Sequence, residues 1–270
     1  MSRHGPGPAL ALAMALLLVG MPGAFAQEAE PAADAPTDLA TDAEPAARPY
    51  NDLRRITPIS GDAARGQAKA ELCSACHGPD GISVVPMYPN LAGQRADYQY
   101  WQLVKLKFAD EGTSIMTPIA SQLSDEDMRD LSVYYAGLDP AGASAEAEVG
   151  IIDADSGGEE AADPAILALG EQLYRSGGPD QGIPPCQACH GSDARGHPRP
   201  LERDAAGYTP YAVYPVLRGQ RELYLVTRLG EYRDGKYHSS TTDFIMNDVG
   251  HRLDGDSIQA LSAWLSSLSD

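Results

Sequence analysis

The sequence predicts an all-α fold made of two copies of one small unit, and three observations support this prediction. No stretch alternates apolar and polar residues over the length of a β-strand. Apolar residues instead recur three or four positions apart in segments that begin at helix-capping residues. Finally, a set of short motifs occurs twice along the 270 residues, which indicates an internal duplication.

The first unit, residues 50–138, contains three predicted helices. Asp62 can cap a short helix that runs to about Leu72, and a second helix covers residues 96–108. The last helix starts at Ser124, where Asp127 lies at the third helical position and completes a capping-box pattern. The apolar stripe of this helix comprises Met128, Leu131, Tyr135 and Leu138.

The second unit, residues 164–270, repeats this order. Asp163 caps a helix over residues 165–174, because the proline that follows it fits a first helical turn, where no N–H is needed. A helix over residues 222–232 comes next, and Asp254 caps the last helix. The apolar stripe of that helix comprises Ile258, Leu261, Leu265 and Leu268. At roughly 90–110 residues, each unit would be marginal on its apolar core alone.

The pentapeptide Cys-X-X-Cys-His occurs once in each unit, as Cys73 to His77 and as Cys186 to His190. This spacing is typical of covalent c-type haem attachment, and a zinc or thioredoxin-like pair is the competing interpretation. The two motifs use all four cysteines, which leaves none for a disulfide. The sequence therefore predicts two covalently bound haem c groups that complete the two cores. The predicted attachment sites are Cys73, Cys76, Cys186 and Cys189, and the predicted proximal ligands are His77 and His190.

The two units share further motifs after the pentapeptide. Tyr-Pro-X-Leu-X-Gly-Gln-Arg occurs at residues 88–95 and again at residues 214–221. Met116 and Met246 each precede, by seven residues, a leucine that stands before the last helix. The second unit carries an insertion, since Tyr214 lies 24 residues after His190, whereas Tyr88 lies 11 residues after His77.

A distal methionine closes a haem iron and raises its potential, so methionine is the preferred sixth ligand for an electron carrier. Met116 and Met246 are the best candidates because they match in position. Met128 falls on an apolar stripe, and Met87 has no counterpart in the second unit. Histidines in or near loops compete as ligands in the second unit, His251 most seriously. The other two are His197 and His238.

Two interpretations stay open for several other residues. Tyr88 and Tyr214 either line the haem edge or pack in the core. Arg95 and Arg221 pair either with haem propionates or with surface acids. The insertion over residues 192–213 is either a docking surface or a solvated loop, and the loop is the favoured interpretation. Its basic residues are Arg195, His197, Arg199 and Arg203.

The N-terminal residues 1–26 resemble a secretory signal. An uncharged apolar run over residues 9–19 precedes Ala24-Phe25-Ala26, an A-x-A cleavage pattern, so we expect cleavage after Ala26. The run of 11 residues is too short to span a bilayer, although a retained membrane anchor is the alternative. Export agrees with c-type haem, which bacteria attach outside the cytoplasm, and it predicts a periplasmic protein without stable membrane insertion.

The formal net charge of −18 is concentrated in two low-complexity segments. Residues 27–49 carry −5 and residues 139–163 carry −8. Such segments bury too little apolar surface to offset the entropy of ordering, so we expect a disordered tail and an interdomain linker. The overall acidity argues against nucleic acid and anionic membrane surfaces as partners.

The motifs quoted above resemble those of the di-haem cytochrome c4 family. The resemblance implies two tandem class I cytochrome c domains, packed about a pseudo-two-fold axis with haem propionates near the interface. It also implies the axial pairs His77 with Met116 and His190 with Met246. The acidic linker is longer than the family pattern, which leaves tight packing of the two domains open.

The resemblance further implies a periplasmic carrier that passes single electrons from a respiratory donor to a terminal oxidase. Two alternatives remain: a haem subunit of a periplasmic dehydrogenase complex, or a di-haem enzyme such as a peroxidase or thiosulfate dehydrogenase. An enzyme needs an open or displaceable axial position, and a methionine for each iron counts against that. The expected partners are therefore redox proteins.

Overall fold

The computed structural model describes residues 50–110, 114–140 and 163–268. The predicted signal (1–26), the acidic tail (27–49) and almost all of the predicted linker (139–163) lie outside these residues. Within the described ranges the chain is helical, and its only strand-like pairings are the isolated bridges Asn51–Ser240 and Gly178–Ile183. The predicted all-α fold is confirmed.

The first repeat has a short 3₁₀ helix followed by five α-helices. Their bounds are Leu53–Arg55 for the 3₁₀ helix, then α1 Ala63–Lys69, α2 Glu71–His77, α3 Ala96–Lys107, α4 Thr117–Ala120 and α5 Asp125–Ala136. Asp62 caps α1 as predicted, and the Ser124–Asp127 capping box opens α5. The predicted first helix is in fact two helices, and the second one contains the Cys-X-X-Cys-His motif.

The second repeat also has five described α-helices and one 3₁₀ helix. The bounds are α6 Pro164–Ser176, the 3₁₀ helix Pro179–Gln181, α7 Gln187–His190, α8 Glu222–Arg233, α9 Thr241–Gly250 and α10 Gly255–Ser267. Asp163 and Asp254 cap α6 and α10 as predicted. Helix α9, which contains Met246, was not predicted.

In each repeat the first helix crosses the last one at a glycine. A Cβ added to Gly66 would lie 2.2 Å from the carbonyl oxygen of Asp130, and one added to Gly170 would lie 2.1 Å from that of Ala260. Only glycine lets the two backbones approach so closely. The crossing brings α1 against α5 and α6 against α10, which sets the scaffold on which the motif residues are placed.

The described residues of the two repeats form one compact unit. The start of the first repeat lies on α9, where the amide of Asn51 donates to the carbonyl of Ser239 at 2.8 Å and that of Leu53 donates to Thr241 Oγ1 at 3.0 Å. An apolar cluster from both repeats covers this junction. It comprises Leu53, Ile56, Ala212 and Val213, with Trp101 and Tyr214 packed against it.

An ion pair between Lys105 on α3 and Asp243 on α9 also joins the repeats. The lysine side chain is 9% exposed and the carboxylate 0%. Asp243 further accepts from the amide and the hydroxyl of Ser239, both at 3.0 Å. The two repeats are therefore in direct contact through polar groups as well as apolar ones, despite the length of the segment that connects them.

Candidate haem-binding sites

The two Cys-X-X-Cys-His motifs have the same backbone ending. Helices α2 and α7 stop at Gly78 and Gly191, each with φ 79° and ψ 154°. This conformation lies in the region that L-residues avoid. A Cβ would also be 1.9 Å from the carbonyl oxygen of Ile82 in the first case and 2.4 Å from that of Gly196 in the second. The glycine after each histidine is thus needed to turn the chain back over the motif.

Each motif histidine is oriented by a proline carbonyl. His77 Nδ1 donates to the carbonyl oxygen of Pro89 at 2.9 Å, and His190 Nδ1 donates to that of Pro215 at 3.3 Å. A carbonyl only accepts, so Nδ1 carries the proton and the Nε2 lone pair is left for a metal. Burial lowers the pKa of both imidazoles, which favours the neutral form that binds iron.

A tyrosine stands beside each of these imidazoles. The ring centres of His77 and Tyr88 are 6.2 Å apart, and those of His190 and Tyr214 are 6.4 Å apart. The tyrosine of each Tyr-Pro motif therefore has the same place in both repeats, next to the predicted proximal histidine.

The four cysteines are free thiols and do not pair with one another. Cys73 and Cys186 are partly buried against the cores of their own repeats. Burial raises the pKa of Cys73 and Cys189, and it raises the pKa of Cys186 to about 11. Thiols held protonated at neutral pH are poor zinc ligands and poor redox nucleophiles. Within the described ranges, moreover, no three histidine, cysteine or acidic side chains are grouped to hold a metal ion.

Met116 and Met246 occupy similar surroundings on different local structures. Met116 directly precedes the short helix α4, at its N-cap position, and Met246 lies inside α9. Both side chains are half-buried. Each follows an isoleucine that is largely exposed, Ile115 at 65% and Ile245 at 42%. This Ile-Met pair is also visible in the sequence, as a further match between the repeats.

All but one of the competing ligands differ from these two methionines in burial. Met128 is buried in the core of the first repeat, as its place on the apolar stripe predicts, and Met87 is exposed. His251 and His238 are exposed on the second repeat. The third histidine, His197, stacks on Tyr211 with ring centres 4.0 Å apart.

Several buried polar atoms lack a partner and fit a bound group that carries carboxylates. Arg95 Nε and Trp101 Nε1 are N–H donors of this kind, and Trp101 packs against the apolar cluster between the repeats. Thr117 Oγ1, in the residue after Met116, can also donate and is buried without a partner. Asn247 Oδ1, in the residue after Met246, is an unpartnered acceptor and does not fit a carboxylate. Buried polar groups in native proteins are almost always paired. The donor set thus suits a haem, whose propionates accept hydrogen bonds.

The arginines of the insertion mostly pair with residues that are near them in the sequence. Arg195 contacts Asp193 at 3.8 Å and Arg199 contacts Glu202 at 3.1 Å. Arg95 of the first repeat reaches the insertion and donates through Nη2 to two backbone carbonyls, each at 2.8 Å. The arginines therefore do not form a surface of uncompensated positive charge, which counts against a charged docking surface. The end of the insertion is not a solvated loop either, because Thr209, Ala212 and Val213 are buried against the first repeat.

The Gly-Gln pair of the repeated motif joins the two repeats reciprocally. Gln94 Oε1 accepts from the amide of Val216 and Gln94 Nε2 donates to its carbonyl, both at 2.9 Å. In the same way Gln220 accepts from the amide of Asn90 at 2.7 Å and donates to its carbonyl at 3.0 Å. The two glutamines match in the repeated motif, but the sequence does not reveal this role. A contact between residues more than a hundred positions apart leaves no local pattern in the sequence.

Comparison with known proteins decides the family. A family model described as cytochrome c matches residues 63–138. Cytochrome c4 of Azotobacter vinelandii is 34% identical over 222 residues, which are 79% of this chain and 92% of that protein. The structure of reduced recombinant cytochrome c4 from Pseudomonas stutzeri matches with a TM-score of 0.60 at 33% identity, covering 77% of this chain and 100% of that one. The chain belongs to the cytochrome c4 family.

A further relative carries a different description. The thiosulfate dehydrogenase electron acceptor of Stutzerimonas stutzeri is 30% identical over 200 residues, which are 74% of this chain and 80% of that protein.

Membership of the cytochrome c4 family confirms the two tandem class I cytochrome c domains and the two covalently bound haem c groups. The protein is a di-haem electron carrier and not an enzyme. Among the helices that the structure describes, none is long and apolar enough to cross a membrane.

Proposed function

We propose that this protein carries single electrons in the periplasm from a respiratory donor to a terminal oxidase. The observation that carries the proposal is the matched pair of sites. Each repeat presents a histidine with Nδ1 bonded to a proline carbonyl and a half-buried methionine before the last helix. Two closed irons of this kind suit electron transfer, because neither leaves a position for a substrate.

In this proposal, each chemical role falls on a pair of matched residues. Cys73 with Cys76, and Cys186 with Cys189, hold the two porphyrins through thioether bonds. His77 and His190 are the proximal ligands. A bound haem c supplies the one-electron chemistry, and the protein sets its potential through ligands, hydrogen bonds and burial.

Met116 and Met246 are the proposed distal ligands. Their half-buried side chains and the buried polar residue after each support this assignment. His251 is exposed at the end of α9, so we rank it below Met246. The proposed domains are residues 50–138 and 164–270, and the proposed signal, residues 1–26, would be removed after export.

One relative favours a second candidate function. Because the chain resembles a thiosulfate dehydrogenase electron acceptor, its donor could be a periplasmic dehydrogenase that delivers electrons directly. The sites and the carrier role would be unchanged, and only the partner would differ.

Oxidation of the reduced protein by membranes tests the proposal. Full-length protein matured in a host that attaches c-type haem would be reduced, freed of reductant and mixed with membranes of its own organism. We expect rapid oxidation that cyanide abolishes, since cyanide blocks haem–copper terminal oxidases. Oxidation that is absent, or that cyanide does not change, would contradict the oxidase as acceptor. Reduction by a purified dehydrogenase and not by respiratory membranes would favour the second candidate.

A further inference from the structure

A single peptide group connects each proximal histidine to a glutamine of the other repeat. In the first repeat the carbonyl of Pro89 accepts from His77 Nδ1 at 2.9 Å. The N–H of the same peptide, which belongs to Asn90, donates to Gln220 Oε1 at 2.7 Å. The chain of contacts therefore runs from imidazole to peptide to glutamine, across the boundary between the repeats.

The second repeat contains the same arrangement in the opposite direction. The carbonyl of Pro215 accepts from His190 Nδ1 at 3.3 Å, and the N–H of that peptide, on Val216, donates to Gln94 Oε1 at 2.9 Å. Both glutamine residues are buried, at 7% and 6% exposure, so water does not compete freely for these bonds. The two bridges are related by the pseudo-two-fold repetition of the motif.

We propose that Gln94 and Gln220 are crossed positioning residues, each of which sets the iron-binding strength of the proximal histidine in the other repeat. This proposal rests on the proposed haem ligation by His77 and His190. Hydrogen bonds in a chain polarise one another. An acceptor on the peptide N–H makes the carbonyl of that peptide a stronger acceptor, which draws the Nδ1 proton and makes the imidazole a more basic ligand.

The sign of the effect follows from the ligand. A more basic imidazole stabilises ferric iron more than ferrous iron, so each glutamine should lower the potential of the haem in the other repeat. Removing Gln94 should therefore raise the potential of the haem held by His190. Removing Gln220 should raise the potential of the haem held by His77. A residue that only packed locally would affect its own repeat, or both repeats together.

The substitutions Gln94→Met and Gln220→Met test this in the full-length di-haem protein, since methionine is close in size and makes none of the glutamine's hydrogen bonds: the two to the other repeat and one from the amide of the following arginine. The readouts are the midpoint potential of each haem, resolved by NMR of its methyl groups during a redox titration, and the NMR shift of each histidine Nδ1 proton. We expect a crossed pattern, in which each variant raises the potential and moves the Nδ1 signal of the opposite haem. A change confined to the haem of the same repeat, an equal change in both haems, or no change would overturn the proposal.

Two further variants keep the test decisive. Gln94→Glu retains an acceptor for the N–H of Val216, so the potential of the opposite haem should not rise as it does in Gln94→Met; an equal rise counts against the proposal. Asn90→Val removes a side-chain bond to the carbonyl of Gly219 across the same boundary, 3.1 Å long, and a local bond from the amide of Ser83, 3.0 Å long, but neither bridge. It should leave the potential of the haem held by His190 near wild type, and a shift of that potential would refute the peptide route.

Haem loading separates this proposal from the one it rests on. A wild-type chain with fewer than two haems, or with a proximal ligand other than His77 or His190, contradicts the proposed ligation. Two haems with these ligands and no crossed pattern contradict only the role of the glutamines.

Discussion

The buried ion pair between Lys105 and Asp243 gives the most quantitative prediction. Replacing Lys105 with methionine keeps the apolar stem but leaves the carboxylate, which is 0% exposed, without its counter-ion. Removing one partner of a buried pair typically costs about 3–5 kcal/mol. Asp243 keeps two hydrogen bonds from Ser239 at 3.0 Å, so we expect the lower end, about 3 kcal/mol. In a protein of this size that corresponds to a fall in Tm of about 6–12 °C.

The same substitution should have a local signature at the second haem. Asp243 lies three residues before Met246 in α9, so the ion pair fixes the helix that carries the proposed distal ligand. We expect Lys105→Met to weaken the Met–iron charge-transfer band of the second haem and to leave that of the first unchanged. Absorption and NMR spectra of the oxidised protein measure this.

The matched control is Lys236→Met, which removes the same charge from an exposed lysine. Surface substitutions of this kind usually change stability by less than about 0.5 kcal/mol. The double variant Lys105→Met with Asp243→Asn should recover part of the loss, because it removes the uncompensated buried charge and keeps an acceptor for Ser239. If denaturant unfolding gives Lys105→Met and Lys236→Met the same small effect, the ion pair does not hold the repeats together as described.

Two further predictions concern stability. Gly78→Ala and Gly191→Ala should each cost about 2 kcal/mol or more, because both positions have φ 79° and an added Cβ would meet a carbonyl oxygen. Gly255→Ala, with open space at Cβ, should be neutral in the same thermal unfolding assay, and equal losses in all three would contradict the geometry. The hydrogen bond from Arg65 and that from the amide of Asp62 hold the pKa of Asp130 below 3.8. The contribution of Asp130 to the free energy of unfolding is therefore present above the pKa of the unfolded state and is lost as the pH falls below about 4. Asp130→Asn should flatten the acid side of the stability profile, and an unchanged profile would argue against this pairing.

Local signals made the helices predictable. Asp62, Asp163, Ser124 and Asp254 each accept a backbone N–H at a helix start, as their residue types predict. A cap of this kind needs only the two or three residues that follow it. The pentapeptides were equally visible, because the proposed attachment and ligand residues of each repeat lie within five positions.

Helix α9 was missed for a physical reason. Its sequence, Thr-Thr-Asp-Phe-Ile-Met-Asn-Asp-Val-Gly, is rich in residues with low helix propensity. Tertiary contacts stabilise it: Ser240 caps it, Lys105 of the other repeat pairs with Asp243, and Thr241 accepts from the amide of Leu53. A local pattern cannot register partners that lie far away in the chain.

The contact between the repeats was also beyond sequence reasoning. The long acidic segment left tight packing open, yet the contact depends on Gln94 and Gln220, each bonded to the backbone of the other repeat. Backbone groups carry no side-chain signal, so their half of the bond is invisible in a sequence. The sequence does hold one clue. Glutamine occupies both matched positions, 94 and 220, although the residues whose backbones these glutamines bond, Val216 and Asn90, differ from each other.

In the proposed function, two closed irons, each ligated by a histidine and a methionine, carry the electrons. The most direct measurement is the Met–iron charge-transfer band of each haem in wild type, Met116→Ala, Met246→Ala and His251→Ala, with carbon monoxide binding recorded alongside. We predict that each methionine variant loses the band of one haem, lowers the potential of that haem and gains carbon monoxide binding, because the thioether favours ferrous iron and its loss frees a position. His251→Ala should match wild type. Rapid carbon monoxide binding by the wild-type protein, or loss of a band in His251→Ala but not in Met246→Ala, would contradict the claim for that haem.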